Sequence, residues 1–191
     1  MTDTLTLSYL NLFAVLGAIK PLCEMDPAAA ALIADKQISL GITVKGGPSA
    51  TLRFERGNVE ISEGIDCCDI KLPFSSPEKF NGMIDGTVTP IPSKGFTKIG
   101  FLTGPFIKLT DLLTHYLRPT EEDLKNEAFF QISTRLMLYV IANAVAQIGN
   151  HEKIGRASAS YMVDGSVCLS VKDEPTRSLS MVLGTPITRM G

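Results

Sequence analysis

From Ile38 to Val44 the chain alternates strictly, with Ile38, Leu40, Ile42 and Val44 apolar and Ser39, Gly41, Thr43 and Lys45 set between or after them. That two-residue period predicts a strand buried on one side. Gly46-Gly47-Pro48 supplies a turn, and the pattern returns with Ala50, Leu52 and Phe54 opposite Thr51, Arg53 and Glu55. Gly57-Asn58 reverses the chain into Val59 and Ile61, which completes a three-strand antiparallel meander. Cys68, Ile70 and Leu72 predict a fourth strand ended by Pro73, and Gly95 to Phe101 predicts a fifth.

Helical spacing takes over elsewhere. Leu10, Phe13, Leu16 and Ile19 share one face, Pro21 interrupts, and Asp26-Pro27 caps a second helix rich in alanine. Ser76-Pro77-Glu78 combines a cap, a proline at the first position and an acid in the positive first turn, which predicts a short helix stopping at Gly86. Thr103-Gly104-Pro105 is expected to start an amphipathic helix whose stripe is Phe106, Leu109, Leu112, Leu113, Tyr116 and Leu117. Thr120-Glu121-Glu122-Asp123 is expected to cap a long helix reaching about Ile148, apolar nearly all round from Leu136 to Ala146. The tail regains strand period at Ala157, Ala159, Tyr161 and Val163, then Val167, Leu169 and Val171 after the Asp164-Gly165 turn, and finally Leu179, Met181 and Leu183.

The fold class expected from this order is α+β: a five-stranded antiparallel sheet with helices over one face, plus a C-terminal long helix and hairpin extension. Residues 1–118 would form the sheet domain with its N-terminal helices, and residues 119–191 an extension packed on it or placed in a dimer interface. With 191 residues, 45% of them apolar and 20% charged, the chain has ample material for a core.

The formal net charge of −2 offers no overall basic field, which argues against nucleic acid or an anionic membrane as partner. No Lys or Arg precedes Lys20, so Leu10 to Leu16 lacks the positive flank of a secretory signal, and Leu136 to Ile148 is too short an apolar run to cross a bilayer. A cytoplasmic protein without stable membrane insertion is expected. Cys23, Cys67, Cys68 and Cys168 are irregularly spaced and are expected to be structural thiols, since Cys67 and Cys68 would point to opposite faces of a strand.

His115 and His151, the two histidines, lie near helix ends, where electrostatics alone accounts for them. No Gly-x-Ser-x-Gly elbow is present, and the glycine turns lack the following helix of a phosphate loop. Catalysis and cofactors are therefore not expected.

The order of elements, together with Gly86, Pro90, Gly95, Lys98, Ile99 and Gly100 and the earlier Arg56-Gly57-Asn58-Val59 turn, resembles the sterol-carrier-protein family, the small sterol-binding, non-specific lipid-transfer domain. The resemblance covers about Ile38 to Leu117. It implies an apolar tunnel between sheet and helices that accepts a sterol, fatty acid or acyl chain without covalent chemistry. The expected lining is Phe80, Met83 and Ile84, then Phe96, Ile99 and Phe101, and finally Phe106, Leu109, Leu112 and Leu113. Two departures stand out: Phe96 replaces the lysine usual in the family after the loop glycine, and the chain runs on well past Pro119. The alternative expectation is a self-filled core in a non-catalytic interaction module, dimerising through Leu136 to Ile148 and the terminal hairpin.

Overall fold

The structure, a computed structural model, describes residues 3–161 and the backbone of three further strands. A long first helix, α1 (Thr4–Met25), leads into α2 (Pro27–Ala31) and the strands β1 (Gln37–Val44), β2 (Ser49–Glu55), β3 (Asn58–Glu63) and β4 (Ile70–Phe74). Helix α3 (Pro77–Ile84) follows, then α4 over residues 99–117, α5 (Glu127–His151) and α6 (Lys153–Ala159). The strands β5 (Gly165–Val171), β6 (Glu174–Leu183) and β7 (Thr188–Met190) form an antiparallel sheet of their own, with β6 and β7 against α5. The class is α+β.

The main sheet has four strands in the order β3-β2-β1-β4. The meander forms as the alternation predicts, with Leu40 opposite Leu52 and Leu52 opposite Ile61. Its second turn is two residues long, Arg56 at φ 49° and Gly57 at φ 89°, the left-handed pair that matches strand twist. The fourth strand departs from expectation: β4 runs parallel to β1, with Leu40 beside Ile70 and Val44 beside Phe74. The sheet is therefore mixed.

The reason lies in residues 64–69, which cross beneath β2 and β1 instead of turning back. Thr51 Oγ1 accepts from Asp66 N at 3.1 Å, Arg53 pairs with Asp66 at 2.8 Å, and Asp69 Oδ2 accepts from Ser39 N at 2.9 Å. All three sheet residues lie on the polar face. Gly41 permits the crossing, because a Cβ there would sit 2.8 Å from Cys68 Sγ.

The expected fifth strand is absent. Residues 96–98 form a single 3-10 turn and run directly into α4, so Gly95 to Phe101 is helical, and the strand pairing there reduces to one antiparallel bridge between Lys71 and Lys94. Ile99, Leu102, Phe106, Leu109 and Leu113 recur at intervals of three and four, a helical period that the apparent alternation conceals. Pro105 lies inside the helix and not at its start; the widened π turn Leu102–Phe106 takes up its missing N–H.

Other boundaries also shift. Pro21 does not divide the first helix, which continues through π and 3-10 turns between Leu10 and Ala18. Thr120 and Asp123 do exchange capping hydrogen bonds, but around the short turn Asp123–Lys125; α5 starts later, capped by Asn126 Oδ1 accepting from Phe129 N at 3.2 Å. Ala157 and Ala159 are in α6, not a strand, and Val163 lies outside the described residues. The caps at Asp26-Pro27 and Ser76-Pro77 form as predicted.

One buried cluster unites the apolar face of the sheet with the helices: Leu40, Ile42, Leu52, Phe54, Ile70 and Leu72 meet Leu12, Leu16, Ile19 and Leu22 of α1, Leu109 and Leu113 of α4, and Leu136 of α5. Helices thus cover one face, and the crossing segment straps the other. By length and composition α1 and α5 could each cross a bilayer, but α1 contributes its side chains to this core; a smaller share of α5 is covered, about 22% of its most apolar window.

Candidate functional site

Phe54 ends the apolar row of β2, where it pairs across with Ile38 of β1 and Val59 of β3. Helix α4 lies on it through two aromatic side chains. Phe101 meets the Phe54 ring edge-on with centroids 4.9 Å apart, and Phe106 meets it at 6.2 Å and 88°. Such edge-to-face contacts contribute about 1 kcal/mol each beyond the area they bury. Leu109 and Leu113 continue the buried row, with Leu112 partly buried beside them. Within this stretch the hydrogen bonds of Thr103 and Thr110 return to backbone oxygens of α4 itself.

The polar attachments of α4 sit at its two ends. At the start, Lys98 pairs with Asp69, whose other oxygen accepts from Ser39 N and Oγ. The Lys98 ammonium and then the Ser39 backbone hold that carboxyl below the usual range. Lys94 Nζ donates to Cys68 O at 2.6 Å, and Gly95 is pressed onto β4, where a Cβ would fall 2.4 Å from Asp69 O. At the far end, Tyr116 donates to Asp26 Oδ2 at 3.0 Å and stacks on Phe129 at 4.5 Å, while Ser133 donates to Tyr116 O at 2.8 Å. Burial, followed by the Asp26 carboxylate, pushes the phenol up to about 12.

The ten expected lining residues divide into three groups. Phe101 and Phe106 gather on α4 at the Phe54 corner, and Leu109, Leu112 and Leu113 continue along α4 in the same core. Phe80, Met83 and Ile84 sit on α3 at the opposite corner, with the Phe80 ring 5.3 Å from Phe74. Phe54 is level with Ile38 and Phe74 with Val44, so the corners lie roughly 20 Å apart along β1. Phe96 and Ile99 belong to neither, being 61% and 43% exposed.

Sequence reading missed Phe54 as an aromatic platform, Leu102 in the helical stripe, and the Asp26–Tyr116 pair. The spacing of Leu102 was the available signal for the second. Nothing local joins Asp26 to a side chain 90 residues later.

The α3 corner carries a buried polar pair: Asn11 Nδ2 donates to Asn81 Oδ1 at 3.0 Å, and Asn81 Nδ2 donates to Thr4 O at 3.0 Å. This locks α1 to α3. His115 pairs with Asp123 at 3.0 Å, and His151 stacks on Tyr9 with ring centroids 3.5 Å apart, where burial holds its pKa below the ordinary value. Cys23 is buried, and desolvation first, with the charges of Asp26 and Glu24, pushes its thiol up to about 12. Cys23, Cys67 and Cys68 are free thiols, while the Cys168 side chain is outside the described residues. Among the described residues no group of three His, Cys, Asp or Glu side chains is placed to hold a metal ion.

Comparison of the chain with protein-family models, with curated proteins and with solved structures gives no match.

Proposed function

We propose that the chain binds a hydrophobic small molecule, such as a sterol-like lipid, fatty acid or acyl chain, noncovalently between α4 and the Phe54 corner of the sheet. One observation carries this reading: α4 is held by polar contacts at Lys98 and Tyr116, whereas between them it meets Phe54 of the sheet through the Phe101 and Phe106 rings, with Leu102 and Leu109 buried in the same apolar core. Parting an apolar contact and refilling it with a ligand's apolar surface breaks no hydrogen bond, so the exchange costs little in desolvated polar groups. Each square ångström a ligand hides from water contributes about 25 cal/mol. The order of elements that resembles the sterol-carrier-protein family agrees with the reading, which does not need the fifth strand that the resemblance implies. The chemistry is transport or storage, with no bond made or broken.

Protein purified without detergent should yield a stoichiometric lipid by mass spectrometry of an organic extract, and a fluorescent fatty acid should be displaced by that lipid. An empty extract together with no fatty-acid binding defeats the proposal. Phe106→Trp should change the affinity for the fluorescent fatty acid.

A second reading has its own observation. Ile141, Val145 and Ile148 are all exposed and recur at helical spacing along α5. A dimer contact through that stripe would make the chain an interaction module, in which Val145→Glu converts a dimer to a monomer on a sizing column. A wild-type monomer removes this reading.

A further inference from the structure

From Gly86 to Thr110 the chain has three lysines, Lys94, Lys98 and Lys108, and neither Asp nor Glu, although the whole chain is net negative. The same stretch exposes four large apolar side chains. Ile91 is 74% exposed in the loop, and Phe96, Ile99 and Ile107 are 61%, 43% and 48% exposed. The last three lie at spacings of three and eight residues, so with Thr103 between them they form one outward stripe along the start of α4. A Cβ at Gly100 or Gly104 would meet nothing within 4 Å, so no neighbouring element covers the helix there. The inward face of the same turns is the buried one, carrying Phe101, Leu102 and Phe106.

We propose that this stripe is a docking surface for an anionic lipid bilayer, with Phe96, Ile99 and Ile107 entering the interface and Lys94 and Lys108 meeting headgroup phosphates. Charge complementarity selects this occupant. An apolar row with Lys94 and Lys108 beside it, the Asp69 carboxylate being taken up by Lys98 and the next acid along the helix being Asp111, matches the interfacial zone of a negatively charged leaflet. A second copy of the chain fits poorly, because a two-fold contact over the stripe would bring its lysines toward the same lysines of the partner. Lys98 keeps its Asp69 contact. The surface is shallow, so docking is peripheral and reversible. It rests on the lipid-binding reading only for its purpose, which is to bring the cover of the Phe54 corner to the membrane that supplies or receives the ligand.

The chain contains no tryptophan, so Phe96→Trp installs a single reporter. Its emission should shift to the blue on adding vesicles of phosphatidylcholine with phosphatidylserine, and shift less with phosphatidylcholine alone. In co-sedimentation, Phe96→Ser with Ile107→Ser should weaken binding to the anionic vesicles by tenfold or more, about what losing two interfacial apolar side chains implies. Lys108→Glu should weaken it roughly tenfold and abolish the preference for the anionic vesicles. These residues are exposed, and unchanged melting of each variant separates lost docking from lost folding. Equal binding to both vesicle types, undiminished binding by the serine variant, or an unmoved emission overturns the proposal. So does a dimer that forms without vesicles and that Phe96→Ser dissociates. Vesicle binding by protein whose extract is empty upholds the docking surface while removing the lipid-carrying reading; a copurified lipid with no vesicle binding does the reverse.

Discussion

Gly95 has φ of +86° and leaves no room for a side chain, since a Cβ would lie 2.4 Å from Asp69 O and 2.9 Å from Ile70 Cα. Both atoms are backbone and neither can swing aside. Gly95→Ala should therefore lower stability by about 2 kcal/mol or more in denaturant unfolding, and should loosen the start of α4 before the rest. At the other end of that helix, the Tyr116 phenol, held up to about 12 against an ordinary 10.0, favours the folded state in its neutral form. Its contribution is complete below pH 10 and is lost as pH rises toward 12. Tyr116→Phe should cost about 1–3 kcal/mol near neutrality, because Asp26 loses a buried donor, and should flatten the alkaline limb of a stability profile. Turn and cap residues such as Asp26, Pro27, Ser76 and Gly57 were legible in the sequence because their chemistry is local. The partners of Gly95 and Tyr116 were not, since each is set by a chain segment far away in sequence.

The caps at Asp26-Pro27 and Ser76-Pro77 and the alternating meander formed where the pattern put them, whereas the fifth strand and the starts of α4 and α5 did not. Seven residues from Gly95 to Phe101 are too few to separate a two-residue period from a helical one, and the Thr103-Gly104-Pro105 run mimics a helix start. What decided the matter was the longer register from Leu102 through Phe106, Leu109 and Leu113 to Tyr116, all of them buried on the inward face of α4. Thr120 to Asp123 shows the opposite trap: a genuine capping box closed a separate turn three residues long, and α5 took its cap from Asn126. Asn126→Ala should then lower stability by about 1 kcal/mol, whereas Thr120→Ala should leave the start of α5 intact, as amide hydrogen exchange across residues 127–130 would show. The direction of β4 was beyond reach for a related reason, because a strand's own pattern does not state on which face the preceding loop crosses.

At the scale of the whole molecule, totals hid what distribution reveals: a net charge of −2 gave no hint that one 25-residue stretch carries only cations. The ten candidate residues are divided between two corners of the sheet, with Phe96 and Ile99 turned outward, because a family's order of elements does not specify which corner each helix covers. The mutual packing of α1 and α5 has a further consequence, in the order of synthesis. Leu12 and Leu16 leave the ribosome first, but Leu136, buried in the same cluster, is more than a hundred residues behind them. A chain ended after Leu117 should accordingly bind an apolar dye that the full chain excludes, and should aggregate at concentrations where the full chain stays in solution. The helix made earliest must wait for nearly the last described helix before its apolar side is covered, so a nascent chain carries its greatest risk of misassembly when three quarters of it has been made.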